Sequence, residues 1–92
     1  MKLSNLLANI EYTVINDGNP EITDIIYDSR KVTDGTAFVC LKGYTSDGHK
    51  YAQSAVEKGA AALIISDNLS FDVPKNVAVI KVENTRKALA YI

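Results

Sequence analysis

The sequence predicts one α/β domain, a mixed β-sheet flanked by helices and containing a right-handed βαβ unit. Three observations carry this expectation. Ala37 to Leu41, "AFVCL", is a continuous apolar run bounded by Gly35 and Gly43, as in a strand covered on both faces. Tyr51, Ala52, Ala55, Val56 and Gly59 then recur at helical spacing opposite Lys50, Gln53, Glu57 and Lys58. "AALIIS", Ala61 to Ser66, follows at once as a second buried strand, and strand, helix, strand in such short order requires a crossover between parallel strands.

The remaining elements fall into place around that unit. Ser4 is the expected cap of a short opening helix with Leu6, Leu7 and Ile10 on one side, followed by the strand "YTVIN" and the turn "DGNP". "ITDIIYDS" reads as a β-branched and aromatic strand ending near Asp28, and Thr33 to Gly35 as the next turn. The Ala37 to Leu41 strand is placed centrally. After a polar loop with Asp67, Asn68, Asp72 and Pro74, "VAVIKV" gives a further strand, and Asn84 caps a last helix, "TRKALAYI". Ala88, Leu89, Tyr91 and Ile92 are apolar where the sequence stops, which reads as a longer chain cut short.

Size and composition exclude several functions. Ninety-two residues suit one small domain, 1–92, and 47% hydrophobic with 23% charged residues lies in the globular range. The formal net charge of −1 provides no field for a polyanion, so nucleic acid is not an expected partner, while a small anionic ligand held by placed groups is compatible. Cys40 is the single cysteine and has no partner for a disulfide or at zinc-ligand spacing, so no metal site is expected. No run approaches the roughly 18 apolar residues of a membrane span, and the amino-terminal stretch is too interrupted for a signal peptide. A reduced, cytoplasmic monomer with no membrane association is expected.

No Walker lysine motif, GxGxxG, HExxH or GxSxG occurs, so catalytic residues are not expected in this chain. Ser29 and His49 rarely form a working dyad from such a loop pair. A binding surface remains. The segment from Lys42 to His49 leaves the carboxyl end of one strand and enters a helix, the position at which open α/β sheets hold ligands. Asp47 and Gly48 read either as a cap and tight turn or as a frame for anion-binding amides, and His49 and Lys50 either as solvated first-turn residues or as contacts. Tyr44 and Tyr51 are packing rings or stacking platforms. In the triplet Asp28, Ser29 and Arg30, the first and last suit a hydrogen-bonded turn, whereas a serine hydroxyl that both donates and accepts suits the imide edge of uracil.

The stretch "DSRKVTDGTAFVCLKGYTSDGHKYAQSAVEKGAAALI" resembles the N-terminal domain of the Mur ligases, of the MurE type. It joins a DSR triplet, G-x-x-F-V, KG-x-x-x-DGH and A-x-x-x-GA in order. The resemblance implies a MurE/MurF N-terminal-like fold that binds the uridine diphosphate end of UDP-MurNAc-L-Ala-D-Glu for a UDP-MurNAc-tripeptide synthetase of peptidoglycan biosynthesis. It implies that Tyr27 and Ser29 lie against the uridine and that Tyr44, Thr45 and Ser46 close over it or reach the diphosphate. Asp28, Arg30, Asp47, Gly48 and His49 then shape the loops. ATP and magnesium are implied for further domains of the same chain, with no cofactor in residues 1–92, which would be inactive alone. The sibling MurF ligase and an HPr-kinase-like regulatory or interaction module are the alternatives.

Overall fold

The computed structural model describes residues 1–42 and 47–91. In chain order its elements are α1 (Leu3–Leu6), β1 (Thr13–Asn16), β2 (Ile25–Ile26), β3 (Ala37–Val39), α2 (Ala52–Glu57), β4 (Ala62–Ile65), β5 (Ala78–Lys81) and α3 (Thr85–Leu89). Short 3-10 turns at Ser29–Lys31 and Gly48–Tyr51 follow β2 and precede α2. The strands form one sheet in the order β1-β5-β4-β3-β2. β2 to β5 pair in parallel, and β1 closes the edge antiparallel to β5 with an irregular register between Val14 and Asn16. The sheet is mixed, and α2 connects the parallel neighbours β3 and β4, as the apolar runs predicted.

Those runs are apolar throughout because both sheet faces are covered. Ala37, Val39, Ala62, Ile64, Ala78 and Ile80 point to one face and pack with Leu3 and Leu7 near α1 and with Ala88 of α3. Phe38, Cys40, Leu63, Ile65 and Val79 point to the other and pack with Ala52 and Ala55 of α2, Leu69, Phe71 and Val73 closing the margin. Burial of each larger aliphatic side chain stabilises the fold by about 1.5–3 kcal/mol. β1, on the edge, leaves Val14 and Ile15 about half exposed.

Several local expectations change in three dimensions. Ser4 lies inside α1, whose N-cap is Lys2, and its backbone N–H donates to Asn19 Oδ1 at 2.9 Å. The strand expected over Ile22 to Tyr27 shortens to Ile25–Ile26, because Asp28 turns the chain immediately afterwards. β3 is an interior strand between β4 and β2, and β4 is the middle one of the five. Tyr51 ends the 3-10 turn and is exposed, so Ala52 and Ala55 alone form the buried core of the helical stripe. Asn84 does cap α3, its Oδ1 accepting from Lys87 N–H at 3.0 Å. Gly59 ends α2 at φ 103°, where an added Cβ would collide with the Asp34 carboxylate.

Cys40 is fully buried, and burial, reinforced by the negative charge of Asp47, pushes its thiol up to about 12. Native protein at neutral pH should therefore resist iodoacetamide while urea-unfolded protein reacts completely, as read by mass spectrometry. Equal labelling rates in both states would contradict this packing.

Candidate functional site

Because β2, β3, β4 and β5 are parallel, the segments that follow them all leave from one edge of the sheet. This carboxyl edge is where loops of open α/β sheets converge on ligands. The antiparallel β1 brings its own amino end there, Thr13 pairing with Lys81.

The first loop is shaped by Asp28. Its Oδ1 accepts from the backbone N–H of Arg30 at 3.0 Å, and its two oxygens accept from Nε and Nη2 of the same guanidinium at 3.0 and 2.8 Å. The Arg30 side chain and then its backbone N–H hold the Asp28 carboxyl down at about 2 from an ordinary 3.8. Ser29 follows, half-buried, its carbonyl accepting from Lys58 Nζ at 3.0 Å and from Val32 N–H at 3.5 Å. Those bonds hold its main chain and not its hydroxyl. Tyr27, at the mouth of the loop, is 62% exposed.

The second loop leaves β3 at Cys40 and is pinched at its base. Lys42 and Asp47 form an isolated antiparallel bridge, and Gly48 N–H donates to Leu41 O at 2.7 Å. A Cβ on Gly48 would lie 2.8 Å from Leu41 N and 3.0 Å from Leu41 O, so the close passage of the two chain segments requires a residue with no side chain. Tyr44, Thr45 and Ser46 lie outside the described residues.

His49 is the strut behind this loop. It is buried rather than solvated. Its Nε2 accepts from the backbone N–H groups of Ser66 and Asp67 at 3.0 and 3.1 Å, just beyond β4. A nitrogen that accepts twice carries no proton, so the neutral ring is protonated at Nδ1 and donates to Asp47 Oδ1 at 2.6 Å. The same Oδ1 accepts from His49 N–H at 3.0 Å, capping the 3-10 turn. Burial pulls the Asp47 carboxyl up, but the His49 backbone and ring donors outweigh it and hold the group below its usual range. Both ring nitrogens are thereby engaged, with Asp47, Ser66 and Asp67 as partners. Asp47, His49 and Asp67 have ligand atoms within 4.8 Å of one another, yet the hydrogen bonds of His49 leave no ring lone pair for a cation.

A polar cleft of about 290 Å³ lies beside the pinch, lined by Lys42, Ser66, Asp67, Glu83, Thr85 and Arg86. Lys42 Nζ pairs with Asp67 Oδ2, and that hydrogen-bonded ion pair raises the Lys42 pKa. Sequence reading passed over Asp67 and Arg86 as members of this edge. The signal that would have found Asp67 is adjacency: the residues after "AALII" must emerge beside the loop that follows "AFVCL" once the two strands are paired.

A protein-family model described as the Mur ligase family, catalytic domain, matches residues 21–92. The UDP-N-acetylmuramoyl-L-alanyl-D-glutamate--2,6-diaminopimelate ligase of Clostridioides difficile (strain 630) is 43% identical over 93 residues, covering 100% of this chain and 19% of the relative. The ligase of the same description from Clostridium perfringens (strain 13 / Type A) is 46% identical over 92 residues, covering 98% of this chain and 18% of the relative. Among solved structures, MurF from Acinetobacter baumannii superposes with a TM-score of 0.81 at 28% identity, over 96% of this chain and 19% of that one. The chain thus spans about a fifth of the length of these relatives.

Two outcomes follow from the loop geometry. The charge of Asp28 contributes stability that is complete above an ordinary carboxylate pKa and disappears as pH falls through its lowered folded value. The stability difference between wild type and Asp28→Asn should therefore be flat above about pH 5 and shrink between about pH 4 and 2; a difference independent of pH would exclude the Arg30 pairing. For His49, ring ¹⁵N shifts should report the Nδ1–H tautomer, and His49→Ala should cost about 2 kcal/mol in urea unfolding by stranding the Ser66 and Asp67 amides. An Nε2–H tautomer would refute the assignment.

Proposed function

Because the chain belongs to the Mur ligase family, we propose that residues 1–92 are its UDP-precursor-binding N-terminal domain. In this reading the chain grips the uridine diphosphate end of UDP-MurNAc-L-Ala-D-Glu. The observation that carries it is the parallel pairing of β2 with β3, Ile25 with Ala37 and Ile26 with Phe38, which starts the DSR and DGH loops from adjacent points on one edge. Ser29 would offer its hydroxyl to the uracil imide and Tyr27 its ring to the uridine, with Tyr44, Thr45 and Ser46 completing the grip. Asp28, Arg30, Asp47, Gly48 and His49 set the loop shapes.

The ligase reaction itself, ATP-dependent addition of the third stem residue, would reside in other domains of a longer chain. The words "catalytic domain" in the family description do not change that proposal, since the sequence holds no phosphate-loop motif for ATP and magnesium. The MurE type is preferred to MurF because relatives at 43% and 46% identity are diaminopimelate-adding ligases, whereas the MurF structure stands at 28%. Those names also favour 2,6-diaminopimelate as the added amine. Family membership displaces the HPr-kinase-like alternative.

Titration of the chain with UDP should shift the amide signals of Tyr27 and Ser29 with a Kd of about 1 mM, equivalent to roughly −4 kcal/mol, since other domains would supply part of the diphosphate's surroundings. Ser29→Ala should weaken binding by about 1 kcal/mol, or roughly fivefold, without changing the fold. No shift at millimolar UDP would sink the proposal, and unchanged affinity in the variant would remove Ser29 from the site.

A further inference from the structure

We infer that Arg86 is a positioning residue for the loop that follows β3, acting on its main chain rather than on the ligand. The inference deepens the proposed function and rests on it for its ligand-binding consequence. Arg86 belongs to α3, forty-four positions beyond Lys42, yet its Nη2 donates to the carbonyl oxygen of Lys42 at 3.2 Å. That carbonyl stands where the chain has left β3 and is about to enter the loop, at the residue bridged to Asp47 on the return.

The contact attaches α3 to a closed circuit of contacts. Lys42 is tied through Nζ to the Asp67 carboxylate, and the Asp67 backbone N–H is tied to His49 Nε2. His49 Nδ1 is tied to Asp47 Oδ1, and Asp47 pairs back to Lys42. Every partner in that circuit comes from the loop base or from the segment after β4. Arg86, from outside the circuit, joins it to α3, whose own start is fixed by the Asn84 cap. The guanidinium therefore orients the Lys42 peptide at the base of the loop. A direct role on the ligand's phosphate is the competing account, since Arg86 also lines the 290 Å³ cleft.

The two accounts separate on ligands that differ only in phosphate. Wild type, Arg86→Ala and Arg86→Lys are titrated with uridine and with UDP, and amide spectra and thermal melts are recorded on the ligand-free chain. Positioning predicts that Arg86→Ala shifts the free-state amides of Lys42, Asp47 and Gly48, leaves the melting temperature within about 2 °C, and weakens uridine and UDP by the same factor, about threefold to tenfold. Arg86→Lys, which keeps a donor, should restore part of both. The inference is overturned if the free-state amides are unmoved or if UDP alone loses affinity. Binding of neither compound by wild type would count against the proposed function, and the free-state amides would still decide whether Arg86 orients the Lys42 peptide.

Discussion

The parallel ladder of β3, β4 and β5, buried on both faces, is the constraint on which the rest of the molecule depends. Parallel neighbours cannot be joined by a tight turn, so each connection has to climb over a sheet face and return to the starting edge. One connection becomes α2 and another the Leu69, Phe71 and Val73 margin, and together they cover one face, while α1 and α3 cover the second. The same geometry delivers the segments after β2, β3, β4 and β5 to one edge. Fold and site are in this sense a single consequence of strand direction.

At that edge, polar groups are organised by hydrogen bonds to main chain more than by charge pairs at the surface. Asp28 and Asp47 each accept from a backbone N–H two residues on, the same turn used twice, once after β2 and once before α2. His49 adds a long-range connection because its ring can accept from two amides on one side and donate on the other. Among the described residues, no buried side-chain nitrogen or oxygen lacks a partner. A frame satisfied in this way fixes the bases of both loops through their own hydrogen bonds.

Much of this was legible in the residue order. Continuous apolar runs at 37–41, 61–65 and 77–80 identify doubly covered strands because a half-buried strand would alternate, and the Ala52, Ala55 and Gly59 spacing identifies the intervening helix and its end. Asp28, Asp47 and Asn84 announce caps because a short acceptor two or three residues before free amides is a local chemical fact. The helix start misassigned to Ser4 failed because Lys2 and Ser4 are both tied to the distant segment around residues 19–21, an interaction that local sequence does not encode.

What the sequence alone determined, then, is what is settled within a few residues: which runs are buried, where α2 ends and α3 begins, and the family-like order of the DSR and DGH loops. Only tertiary structure decided that β4 rather than β3 lies in the middle and that His49 is a buried strut joining Asp47 to Ser66 and Asp67. It also decided that Arg86 reaches back to the Lys42 carbonyl. The contacts of His49 with Ser66 and Asp67 and of Arg86 with Lys42 join residues 17 to 44 positions apart, and their partners become neighbours only after the strands have paired.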